Sequence, residues 1–139
     1  MKYEYPYSIE KDESGGYVVQ FIDIEEAFTQ GNDLEEVAYN ASEVLTGIIL
    51  YRLDNAQDVP EPSDITGENI HYAAPGPAVQ AALLVRRLRG DKPLTIIARA
   101  MGTSWPAAQR LENPHHWPTL KQLDRAASVL GKRLVLSFE

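Results

Sequence analysis

Polar and apolar residues alternate from the first positions of the chain. Tyr3, Tyr5, Tyr7 and Ile9 share one face of an extended segment, and Lys2, Glu4, Ser8 and Glu10 share the other. That is the period of a half-buried β-strand. Pro6 falls on the polar face and cannot donate to a ladder, which predicts an edge or bulged strand. Ser14-Gly15-Gly16 supplies a turn that admits positive φ. Residues 17–22 then read as a second strand with Tyr17, Val19 and Phe21 inward, and a short third strand is expected around residues 27–30.

The period then lengthens to that of a helix. Asp33 is placed to cap it, Glu35 and Glu36 occupy its first turn, and Glu36 makes an acidic variant of a capping box. Leu34, Val37, Ala38, Ala41, Leu45, Ile48 and Ile49 form an apolar stripe able to lie across a sheet. Residues 54–67 are polar, carry Pro60 and Pro62, and read as a connector; residues 69–73 suit one more strand. Pro75-Gly76-Pro77 is the strongest boundary signal. Helices are expected beyond it. Residues 78–88 are apolar with a basic end and a stop at Gly90. Pro93 opens a helix to Met101, and Ser104 caps another reaching Leu111. Thr119 with Gln122 forms a capping box for a helix bearing Leu120, Leu123, Ala127 and Leu130. Leu134, Leu136 and Phe138 alternate as a final strand. The fold class is therefore α+β: a small β-β-β-α-β domain over residues 1–75, then an all-α domain over residues 76–139 ending in a short β-strand.

Charge divides at the same boundary. Residues 1–75 hold 16 carboxylates against Lys2, Lys11 and Arg52, a net of −13, whereas residues 76–139 hold ten basic and four acidic residues, a net of +6. The whole-chain value of −7 conceals this split. Such asymmetry implies a basic half that meets a polyanion and an acidic half that meets a basic partner. The absence of cysteine excludes disulfides, thiol catalysis and cysteine-ligated zinc. With no long apolar run and no signal-peptide core at the start, the expectation is a soluble cytoplasmic protein without membrane contact.

The most informative segment is LTIIARAMGTSWPAAQRLEN, Leu94 to Asn113. Ala98 is small where two helices cross, Gly102 provides the turn and Ser104 the cap. Ile97, Met101, Ala108 and Leu111 set the angle between the helices. Trp105, Pro106, Gln109 and Arg110 are left on the outer surface. With this pattern, A-x-x-x-G-x-S-x-x-x-[AVI]-x-R-[LI]-[EF]-N, residues 78–130 resemble the phage-repressor-type helix-turn-helix domain. The resemblance implies major-groove binding, with Ser104, Trp105, Pro106, Gln109, Arg110 and Asn113 as DNA-binding candidates. Leu94 and Trp105 stand where that family often has glutamine, so the binding mode carries over and the operator sequence does not. Trp105 has two open readings, contact with DNA or packing on a neighbouring helix.

The segment ESGGYVVQFIDIEEAFTQGNDLEEVAYNA is similar to the HicB antitoxin family, whose pattern is G-G-Y-x-[AV]-x-F-x-D-[IL]-P-x-[AC]-x-[TS]-x-G-[DE]-[TS]-x-x-E-A. Glu25 replaces the usual proline, and Asn32-Asp33 replaces the usual acidic–hydroxyl pair. The resemblance implies a degenerate ribonuclease-H-like domain that neutralises a small basic RNA-cleaving toxin of the HicA type. Members with a DNA-binding half also repress their own operon. A −13 module would be steered onto a cationic toxin and would repel its RNA substrate. Asp23, Glu25 and Glu26, at the end of the second strand, are the toxin-binding candidates, with an ordinary solvated rim as the alternative.

Other groups weigh less. Arg86, Arg87 and Arg89 suit a helix end better than a DNA backbone; Lys121 and Arg125 are weaker backbone candidates. Adjacent His115 and His116 diverge on a helix and have no cysteine partner, so no metal is expected. Ribonuclease-H chemistry needs several carboxylates converging on two metals, and only Asp23 is well placed, so the reading is a non-enzymatic protein without cofactor. Two half-sites one duplex turn apart require a homodimer, with Leu134, Leu136 and Phe138 as candidate dimer residues, or a tetramer if both modules self-associate. The competing reading is a transcriptional regulator whose first domain senses a ligand or protein and has no toxin.

Overall fold

In the computed structural model, which describes residues 1–139, the alternating segments pair as an antiparallel sheet. Strands β1 (Tyr5–Lys11), β2 (Tyr17–Phe21) and β3 (Phe28–Gly31) form a meander, and β4 (Ile70–Ala73) returns to the other side of β1. The order is β3-β2-β1-β4. β1 is thus an interior strand, contrary to the edge position that Pro6 suggested. The carbonyl of Pro6 accepts from the Ile22 N–H at 3.1 Å, just beyond the end of β2 at Phe21. In an antiparallel strand a residue's N–H and C=O point to the same side. The missing donor therefore faces the end of a ladder rather than its middle. Tyr72 lies directly opposite on β4, and Pro6 is buried.

Helix α1 (Leu34–Asp54) begins where Asp33 accepts the Glu36 N–H at 2.8 Å, with Glu35 and Glu36 in its first turn and Arg52 in its last. Its core face is narrower than the apolar stripe in the sequence. Val37, Ala41, Leu45 and Ile49 are fully buried, whereas Leu34 and Ala38 are exposed and Ile48 is half-buried. One helix on one sheet covers a single i, i+4 row. Tyr5, Tyr7, Val19 and Phe21 of the sheet are buried in the same unit. The helix and sheet backbones approach closely at Gly31, where a Cβ would stand 2.9 Å from the Val37 nitrogen.

The connector is held by side chains. The Tyr5 hydroxyl donates to Pro60 O at 2.7 Å, Tyr3 to Glu61 at 3.3 Å, and Arg52 to Asp58 O at 2.9 Å; the Ile65 N–H donates to the Tyr72 hydroxyl at 2.8 Å. Burial, reinforced by Tyr3 and Glu61, pushes the Tyr5 phenol well above its ordinary pKa, so it remains a donor. On the flank of α1, Ser42 donates to Ala74 O at 2.6 Å and Thr46 accepts from the Gly76 N–H at 2.8 Å. These bonds fix the path by which the chain leaves the sheet.

The chain divides into two compact units, Met1–Gly76 and Pro77–Glu139. The second contains α2 (Pro77–Arg89), α3 (Leu94–Met101), α4 (Trp105–Arg110) and α5 (Leu120–Val129). Val85, Ile97, Met101, Leu111, Ala126 and Leu130 form its core, with Leu88, Leu123 and Val129 packed against it. Leu120, expected inward, is exposed; Pro93 is the N-cap of α3 rather than a residue of its first turn. The expected final strand is absent as a paired element: after the α5 stop at Gly131, residues 132–139 join no ladder. Leu136 is exposed and Phe138 fully so. A strand needs a backbone partner, and this helical unit offers none within one copy.

Gly31→Ala should destabilise the first unit by about 1–3 kcal/mol, because the added methyl presses on backbone rather than on a movable side chain. A lowered urea midpoint at an unchanged slope would report it.

Candidate functional site

The helix-turn-helix geometry follows from three local devices. Gly102 ends α3 with φ 65°, and the Thr103 N–H donates back to Ala98 O at 2.9 Å. Glycine takes this left-handed conformation without the Cβ penalty. The Ser104 hydroxyl then accepts the Ala107 N–H at 3.3 Å and starts α4. Buried Ala98 and Ala108 leave room for α3 and α4 to cross.

Trp105, Pro106, Gln109 and Arg110 occupy one exposed side of α4, opposite buried Ala108 and Leu111. Trp105 is 44% exposed, so its indole is presented outward in part rather than enclosed. Ser104 and Asn113 play local roles: Ser104 caps α4, and the Asn113 side-chain carbonyl accepts the His115 N–H at 2.9 Å, turning the chain after the helix. Beside the turn lies a half-open cavity of about 230 Å³ whose walls include Gly102, Thr103, Ala107, Lys121, Gln122 and Arg125. Lys121 and Arg125 are exposed there. They stand next to the segment that carries the outward face of α4.

A buried acid orients this assembly, and sequence reasoning missed it. Glu112 follows α4 and is buried; its carboxylate accepts from Arg89 at 2.5 and 2.9 Å, and its carbonyl accepts from Arg86 at 2.9 Å. The ion pair holds the Arg89 guanidinium above its ordinary pKa, chiefly through the hydrogen bond to Glu112. Arg86 and Arg89 therefore brace α2 against the end of α4, instead of only solvating a helix end. The available signal was an arginine pair three residues apart, on one helix face, in a unit with few acids.

The acidic candidates at the end of β2 separate in the same way. Asp23 accepts from the Ser63 N–H at 2.9 Å and from its hydroxyl, anchoring the connector. Glu26 pairs with Arg52 at 2.5 Å, and the Arg52 hydrogen bond depresses its pKa. Only Glu25 of the three presents its carboxylate without such a structural partner, and it is exposed. His71 stacks on Tyr7 across the β1–β4 pair, with ring centroids 5.9 Å apart. No helix is long and apolar enough to cross a membrane.

Glu112→Ala should destabilise the helical unit by about 1–3 kcal/mol, less than a fully buried pair because Arg89 retains some solvent. Thermal unfolding of the variant would show it.

Comparison with known proteins gives a consistent family. A family model described as a HicB-like antitoxin of bacterial toxin–antitoxin systems matches residues 4–75. Antitoxin HicB of Escherichia coli (strain K12) is 29% identical over 133 residues, spanning 95% of this chain and 96% of that protein. Antitoxin HicB 1 of Photorhabdus laumondii is 31% identical over 137 residues, spanning 97% of this chain and 86% of that protein. A chain in a solved HicA3 and HicB3 toxin–antitoxin complex aligns with 53% of this chain and 99% of its own length, at 22% identity and a TM-score of 0.42. On the family match and the near full-length similarity to the Photorhabdus laumondii antitoxin, the chain belongs to the HicB-like antitoxin family.

Proposed function

We propose that this chain is the antitoxin of a HicAB-like toxin–antitoxin system and acts by binding, without catalysis or cofactor. Residues 1–75 neutralise a small, basic, RNA-cleaving toxin of the HicA type. Residues 76–139 bind operator duplex DNA and repress the operon. The observation that carries the reading is the coincidence of charge with architecture: net −13 falls on the sheet-and-helix unit and net +6 on the helix-turn-helix unit. An acidic unit attracts a cationic protein and repels that protein's RNA, while a basic unit favours a phosphate backbone.

In this reading Trp105, Pro106, Gln109 and Arg110 face the major groove, Lys121 and Arg125 take backbone phosphates, and Ser104 and Asn113 hold the ends of α4 in place. Two copies are needed for two half-sites. Leu134, Leu136 and Phe138, which have the alternation of a strand and join none within a single chain, would pair with the same segment of a second copy. Self-association of both units would give a tetramer.

The direct test is co-expression with the product of the adjacent small reading frame: copurification and rescue of growth are expected, and a neighbour that neither binds nor arrests growth would refute the antitoxin role. Arg110→Ala should weaken operator binding by about 1–3 kcal/mol with neutralisation intact, as read by a DNA mobility shift beside the growth assay. Ending the chain after Arg133 should shift the protein towards monomer in analytical ultracentrifugation and weaken operator binding along with it.

A further inference from the structure

The outward side of α1 is not explained by the fold of its own unit. Glu35, Tyr39, Glu43, Gly47 and Tyr51 recur at intervals of four and all are exposed. Each lies two residues from a member of the buried row, about 200° round the helix axis. The ridge therefore runs along the back of α1 in parallel with Val37, Ala41, Leu45 and Ile49. Tyr39 is 66% exposed and Tyr51 59%. Large aromatic side chains left in water on a continuous ridge lose the burial that would favour them.

Gly47 sharpens the point. It sits mid-helix, and a Cβ built there would meet nothing within 4 Å. It is also absent from the glycines with positive φ. Neither internal packing nor backbone conformation calls for glycine, yet in a helix interior it is about 0.8–1 kcal/mol less favourable than alanine. The effect is a notch in the ridge between Glu43 and Tyr51. A missing side chain at that position allows another backbone or a bulky side chain to approach the helix closely.

Resting on the antitoxin reading above, we infer that the Glu35–Tyr39–Glu43–Gly47–Tyr51 ridge of α1 is the surface on which the cationic toxin docks. Tyr39 and Tyr51 offer ring faces to arginine or lysine, Glu35 and Glu43 offer single carboxylates two turns apart, and Gly47 receives the closest-approaching element. Ridges at four-residue spacing are the surface that a facing helix interdigitates. The charge selects among occupants. A two-fold copy of this chain would set the carboxylates of one ridge against those of the other, and nucleic acid would bring phosphates towards them. A basic protein alone finds complementary sign, at Glu35 and Glu43.

The test uses the full chain and the co-expressed product of the adjacent small reading frame. Binding is measured by titration calorimetry at two salt concentrations. Gly47→Gln adds a neutral, helix-favouring side chain and should leave the thermal midpoint unchanged or raised while weakening binding at least about tenfold. Glu43→Lys should weaken it similarly and reduce its salt dependence. Phe28→Ala, on the opposite face of the sheet, should bind as the parent does. Parental affinity in both ridge variants overturns the assignment, as does a loss confined to Phe28→Ala. If the parent chain does not bind the protein at all, the antitoxin reading falls and the docking surface with it.

Discussion

The row Val37, Ala41, Leu45 and Ile49 is the contact on which the first unit depends. It is fully buried against the sheet, and at Gly31 the two backbones come closer than any side chain would allow. Pinning one row of a helix fixes every other row. The flank bearing Ser42 and Thr46 becomes the anchor for residues 74–76, so the chain leaves the sheet along a defined path. The end bearing Arg52 reaches Glu26 and the Asp58 carbonyl. The back of the helix, with its tyrosines and carboxylates, is held towards solvent in one orientation. A surface that must be recognised gains from such fixing, because little side-chain or backbone ordering remains to be paid on association.

Glu112 performs the corresponding task in the second unit. α4 has six residues, too short to keep its orientation by helix propensity. Its inner side contributes Ala108 and Leu111 to the core, and its end is held by the Glu112 contacts to Arg86 and Arg89. The hydrogen-bonded carboxylate is buried with both oxygens engaged, the condition under which a buried acid is tolerated. Two half-buried arginines of a basic unit are thereby committed to an internal partner. Arg110, Lys121 and Arg125 remain exposed near the outward side of α4 and its turn.

Much of this architecture was legible in the chain because local rules and tertiary packing agree. Alternation marked β1 and β2, Asp33, Ser104 and Thr119 cap the helices as their spacing implied, and Gly102 makes the turn. The errors share one cause: position in the fold depends on partners that periodicity does not name. Pro6 belongs to an interior strand because β2 happens to end beside it. Leu34 and Leu120 have core-like identity and spacing but fall outside the rows that packing selects. Nor does anything local show that Ser63 and Arg52 reach the toxin-binding candidates Asp23 and Glu26 from far along the chain. Residues 134–138 alternate as a strand should, but alternation does not supply a ladder partner.

The whole-chain charge of −7 is the least informative number about how such a molecule meets others. At physiological ionic strength the Debye length is about 8 Å. A unit of the size of Met1–Gly76 has a radius of gyration of about 11 Å, so it is wider than that screening distance. A partner approaching one face of a unit therefore feels the charged groups of that face more strongly than the net charge of the whole chain. Segregating charge by unit lets one chain attract a cation on one surface and an anion on another without neutralising either. Interspersing the same residues would have kept the net value and lost both surfaces.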